Sequence, residues 1–108
     1  MYKVVRSYEN CNDYGSAFEI FNFTSYSTKY TSYPKKLGHK LFCFKDLPDA
    51  RCFVSRSVNR NYKIFEVEVE NPVLLSSSNY NEYAWLDENI DYPFGTYLVD
   101  SVKLIKEV

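Results

Sequence analysis

The run Tyr62-Lys63-Ile64-Phe65-Glu66-Val67-Glu68-Val69-Glu70 alternates apolar and charged side chains with a period of two. Only an extended strand sends successive side chains to opposite faces. Phe65, Val67 and Val69 are therefore predicted to face a core, and Glu66, Glu68 and Glu70 to face away. Pro72 lacks the amide that a ladder needs and closes the run. A single strand of this kind is not stable in water, so the rest of the chain must supply a sheet.

Other stretches answer that need. Tyr2 to Tyr8 reads as a first strand and Ala17 to Phe23 as a second, with Gly15 in the turn between them. His39 to Phe44 follows Gly38 as a third, with Leu41 and Cys43 on one face and Phe42 and Phe44 on the other. Thr96 to Ile105 is the last, carrying Leu98, Val102 and Leu104 on one side. Between the third strand and the alternating run lies a helix. Asp46 suits its N-cap, Pro48 its first turn, and Asp49 the capping-box position, while Leu47, Ala50, Phe53 and Val54 recur at helical spacing. Residues 76–95 read as largely irregular, with a turn at Tyr92-Pro93-Phe94-Gly95.

The expected fold is α+β: a single antiparallel or mixed sheet of about five strands, with one short helix over residues 46–56 packed on one face. A length of 108 residues fits a single domain, 1–108, able to bury a core without metal or disulfide support. The large side chains are mostly aromatic, with 11 Tyr and 8 Phe, a composition that favours pleated, half-buried surfaces. Cys11, Cys43 and Cys52 are odd in number and irregular in spacing, and no signal peptide or membrane-length apolar run is present. The expected setting is intracellular and reducing, with no membrane.

Charge divides the chain. Residues 29–63 carry nine Lys and Arg against two Asp, a net +7, while residues 64–108 carry two Lys against nine acids, a net −7. Such a split either steers a partner or cancels across adjacent strands. The basic part interleaves Lys29, Lys35, Lys36, Lys40 and Lys45 with Tyr26, Tyr30 and Tyr33, and Arg51, Arg56 and Arg60 extend it along and beyond the helix. Cations beside aromatic rings suit phosphate contact with base stacking. The acidic pI of about 5.8 argues against a generic nucleic-acid domain, and the basic face could equally meet an acidic protein or a nucleotide-sized ligand.

Catalytic and metal chemistry find less support. Cys11, His39, Cys43 and Cys52 form no C-x-x-C or H-x-x-x-H pattern, so no metal site is expected. His39 is the only histidine, and nothing local would lower a thiol pKa, so Cys43 and Cys52 read as buried free cysteines.

The stretch Gly38-His39-Lys40-Leu41-Phe42-Cys43-Phe44-Lys45-Asp46-Leu47-Pro48-Asp49-Ala50-Arg51-Cys52-Phe53, with Glu66 to Pro72 and the opening Tyr2-Lys3-Val4-Val5, resembles small uncharacterised proteins of bacteriophages and other viruses. The resemblance covers about half the chain, and its motifs are structural. The same skeleton is distantly similar to ADP-ribosyltransferases of the arginine–serine–glutamate type. That similarity implies Arg6 as the arginine holding the NAD phosphate, with Ser25 and Ser27 of Ser25-Tyr26-Ser27-Thr28 approximating the serine strand. It also implies Glu66-Val67-Glu68 as the acidic motif, with Glu68 on the nicotinamide ribose.

Two expectations follow. The first is a small non-catalytic accessory domain of viral or phage type, without a cofactor, that binds a host protein or other anionic macromolecule through Lys29, Tyr30, Tyr33, Lys35, Lys36, Lys40, Arg51 and Arg56. The alternative is an NAD-dependent transferase using Arg6, Ser25, Ser27, Glu66 and Glu68.

Overall fold

The computed structural model describes residues 1–7, 13–16, 24–36, 38–57, 61–76, 79, 82–83, 85–86 and 92–108. The expected strand Ala17 to Phe23 lies outside the described residues, as do Cys11 and Arg60.

The alternating run forms β4 (Tyr62–Glu70), with Phe65 and Val67 buried and Glu68 and Glu70 exposed. It pairs on one side with β1 (Tyr2–Ser7) and on the other with β7 (Ser101–Glu107), both antiparallel. β1 also pairs with β2 (Tyr14–Ser16) and β3 (Leu41–Phe44), and β3 pairs with β6 (Thr96–Val99). A two-residue strand, β5 (Val73–Leu74), completes the edge beside β6. Among the described residues the sheet therefore has seven strands, in the order β5-β6-β3-β1-β4-β7 with β2 beside β1, and every pairing among them is antiparallel.

This corrects the expectation of about five strands under a helix. The sheet is a curled half-barrel, and the difference arises at three places. Gly15, expected in a turn, is in β2 and pairs with Arg6. After Pro72 the chain resumes as β5, Asn71 having taken the left-handed conformation (φ 51°) that turns it. The expected strand Thr96 to Ile105 is two strands. It breaks at Asp100, whose amide donates to the Glu70 carbonyl (2.9 Å).

That break produces the curl. β6 and β7 are separated by Asp100 alone, yet one pairs with β3 and the other with β4, two ladders apart. A near-continuous strand can join both only if the sheet rolls up between them. A register shift between Glu66 and Val67 in β4 adds local bend. The change of parity is visible in the side chains: Leu98 packs with Phe42 and Leu86, whereas Val99, Val102 and Leu104 pack with Val5 and Phe65. The expected single face of Leu98, Val102 and Leu104 is thus divided.

Inside the curl lies the main core, built on Val5, Leu41, Cys43, Phe65 and Leu104 and filled by Tyr26. The helix α1 (Leu47–Arg56) packs on the outer face, where Ala50 meets Val4 and Phe44. Pro48 occupies its first turn as expected, but the Asp46 side chain makes no capping hydrogen bond. Among the described residues no helix is long and apolar enough to cross a membrane.

Candidate functional site

The segment 24–36 is tied to the sheet at two points, Tyr26 and Ser32. Tyr26 and Tyr14 exchange backbone hydrogen bonds (2.7 and 3.0 Å), and Ser32 and Val102 do the same (2.8 and 3.0 Å). The Ser32 hydroxyl donates to the Ser25 carbonyl, closing the loop between the two bridges. Ser27 Oγ accepts the Lys29 amide (3.0 Å), and the Leu104 amide donates to the Ser27 carbonyl (3.3 Å).

These anchors sort the segment into two sets. Thr24, Tyr26, Ser27 and Ser32 are buried, while Lys29, Tyr30, Tyr33, Lys35 and Lys36 are exposed. Tyr26, read from sequence as part of the exposed tyrosine set, is instead fully buried against Lys3. Tyr33 is 58% exposed. The Tyr30 hydroxyl donates to Asp13 Oδ2 (2.9 Å), and its pKa is held above the ordinary tyrosine value, by burial first and then by that carboxylate.

The remaining basic residues go elsewhere. Lys40 is ion-paired to Asp100, which also accepts from Asn71 Nδ2 (2.9 Å). Arg51 and Arg56 are exposed on α1, which packs on the sheet face opposite to Tyr26. The stretch that is continuous in sequence is thus parted by the sheet. Two ion pairs, Lys40–Asp100 and Lys63–Glu107 (3.5 Å), join the basic middle to the acidic final third, so part of the charge division cancels locally.

The residues implied by the transferase similarity fall at separate places. Arg6 Nη2 donates to the Tyr62 hydroxyl (3.3 Å), and the guanidinium lies 5.6 Å from the centre of that ring. Glu66 faces Lys106 (3.7 Å), and Glu68 stands opposite Lys103. Arg6 pairs with Tyr62, and from Tyr62 to Glu68 an extended strand runs about 20 Å. Helix α1 covers the sheet between them at Val4 and Ile64. Ser25 and Ser27 belong to the anchored segment, and Ser27 is buried.

Two features escaped the sequence reading. One is a cleft of about 500 Å³ between α1 and the 92–95 turn, lined by Asp49, Cys52, Phe53, Arg56, Tyr92 and Phe94. Its helical side follows i, i+3, i+4, i+7 spacing, which was the available signal. Cys52, expected to be buried, is exposed there, and Phe94 is 91% exposed. The other is Lys3, which is 1% exposed and donates to Ser16 Oγ (3.3 Å) and to the Phe42 carbonyl inside the curl. Nothing in the local alternation marks a lysine as inward-facing when apolar residues surround it. Cys43, buried nearby, has its thiol pushed up to about 11 by burial, with the Lys3 charge opposing.

No protein-family model, curated protein or solved structure matches this chain.

Proposed function

We propose that this chain is a small non-catalytic binding domain that holds an anionic macromolecule on Lys29, Tyr30, Tyr33, Lys35 and Lys36. One observation carries the reading: these five side chains are exposed on one short segment, Lys29 and Tyr30 between the backbone bridges at Tyr26 and Ser32 and Tyr33, Lys35 and Lys36 just beyond them. A segment tied in this way loses less conformational freedom on binding than a free one, so its contacts are offset less by the cost of ordering it. Lys40, Arg51 and Arg56 belong to other surroundings and are secondary in this account.

NAD-dependent transfer would need Arg6 and Glu68 at one ligand. Their separation along β4, with α1 packed between, favours the binding reading.

The test is affinity capture from a cell lysate with the wild-type chain and with the triple variant Lys29→Gln/Lys35→Gln/Lys36→Gln. Lys103→Gln/Lys106→Gln on β7 serves as a control for charge alone. Partners should be lost from the first variant and kept by the second. An unchanged retained set in the first would contradict the proposal.

A further inference from the structure

We infer that this chain pairs with a second copy of itself through the cleft beside α1, the two helices lying antiparallel about a two-fold axis near Cys52 and Phe53. The surface used is on the helical layer, across the sheet from Tyr26, and the inference does not depend on the anionic surface. Charge order along the cleft carries it. Asp49, Cys52, Phe53 and Arg56 line the helical wall of the cleft and so share one face of α1. Asp49 and Arg56 are oppositely charged and stand about two turns apart, roughly 10 Å along the axis. Neither side chain makes an ion pair or hydrogen bond among the described residues. A two-fold axis crossing the helix midway between them exchanges the two ends. Asp49 of each copy then meets Arg56 of the partner subunit, so one ion pair forms twice, as in any isologous contact. A parallel arrangement would set like charges against each other.

The apolar groups follow the same symmetry. Phe94 is 91% exposed and stands on the rim of a cleft walled by Phe53 and Tyr92. A lone exposed ring is ordinary. Here the ring and an aromatic-walled cleft belong to one surface, so a second copy supplies the match to both. The 92–95 turn lies at the Asp49 end of the cleft, because Gly95 abuts that carboxylate. The two-fold therefore carries the partner subunit's Phe94 to the Arg56 end, where its ring covers the guanidinium and fills the open part of the cleft. One helix of ten residues and a single turn make a small interface, so the dimer is a weak one that dilution separates.

The test is sedimentation equilibrium of the full chain from micromolar to millimolar concentration, which should show a reversible monomer–dimer equilibrium. Asp49→Arg and Arg56→Asp should each weaken the dimer by about tenfold or more, since each sets like charges against one another at both ends. Mixing these two variants should restore association, because every facing pair in the mixed dimer is then of opposite sign. Phe94→Ser should also weaken the wild-type dimer by about tenfold or more, through loss of the apolar anchor. A short bis-maleimide added to concentrated protein should join two chains, and peptide mapping should find Cys52 linked to Cys52. Arg56 and Phe94 are exposed, so Arg56→Asp and Phe94→Ser should fold as wild type, which thermal melts check. These two variants decide the matter if Asp49→Arg does not fold.

A monomer at every concentration overturns the inference. So does a dimer that Arg56→Asp and Phe94→Ser leave intact, a mixture of folded charge variants that stays monomeric, or a cross-link that joins other cysteines instead of Cys52.

Discussion

The Lys3 ammonium stands 4.8 Å from the centre of the Tyr26 ring, with both side chains shut away from solvent inside the curled sheet. Lys3 belongs to β1 and Tyr26 to the segment that presents the candidate binding surface. Their contact therefore joins the surface to the core. Tyr26→Ala should cost about 3–5 kcal/mol in urea denaturation, the range for emptying a large aromatic site. It should also weaken binding through Lys29 to Lys36, although Tyr26 touches no partner, because the segment loses its anchor.

Asp100 gives a pH signature. Its carboxyl is held below the ordinary range, by the Lys40 hydrogen bond first and by Asn71 second. A depressed carboxyl stabilises the fold above its unfolded pKa of about 3.9 and loses that contribution as pH falls through the lower folded value. The side chain is 40% exposed, so solvent screening keeps the effect within ~1 kcal/mol. Melting curves of wild type and Asp100→Asn should differ above about pH 5 and converge as the carboxyl protonates.

Gly95 and Gly38 allow a matched comparison. Both have positive φ, +83° and +84°, which a side chain rarely adopts. A Cβ on Gly38 would meet open space, whereas one on Gly95 would collide with the Asp49 carboxylate. Gly38→Ala should cost about 1 kcal/mol and Gly95→Ala clearly more. Asp49→Ala should recover part of the second loss, so a double-mutant cycle would show coupling.

The parts of the fold set by local pattern were legible. The alternation of Phe65, Val67 and Glu68 defined β4, and the spacing of Ala50, Phe53 and Val54 defined α1. The curl was not legible as read, because it depends on which ladders β6 and β7 join. Its one local trace is that Val99 and Val102, of opposite parity, are both buried. The basic and aromatic composition of the candidate surface was also legible. Its division was not, since pairing of Lys40 with Asp100 and the placement of Arg51 and Arg56 on α1 are tertiary facts. The same holds for Tyr26, whose burial follows from its bridge to Tyr14.

The two described cysteines should differ in reactivity. Cys43 is buried with its thiol raised to about 11, while Cys52 is exposed on α1. In the native protein near pH 8, iodoacetamide should modify Cys52 and spare Cys43. Peptide mapping by mass spectrometry reads the difference, and denaturant should abolish it.

Amide chemical-shift mapping tests the binding account most directly. The labelled chain would be titrated with a short oligothymidylate and, separately, with polyglutamate. The account predicts shifts centred on Lys29, Tyr30, Tyr33, Lys35 and Lys36 with at least one of them. Shifts confined to Arg51, Arg56 and the turn at Phe94, with residues 29–36 silent, would contradict it.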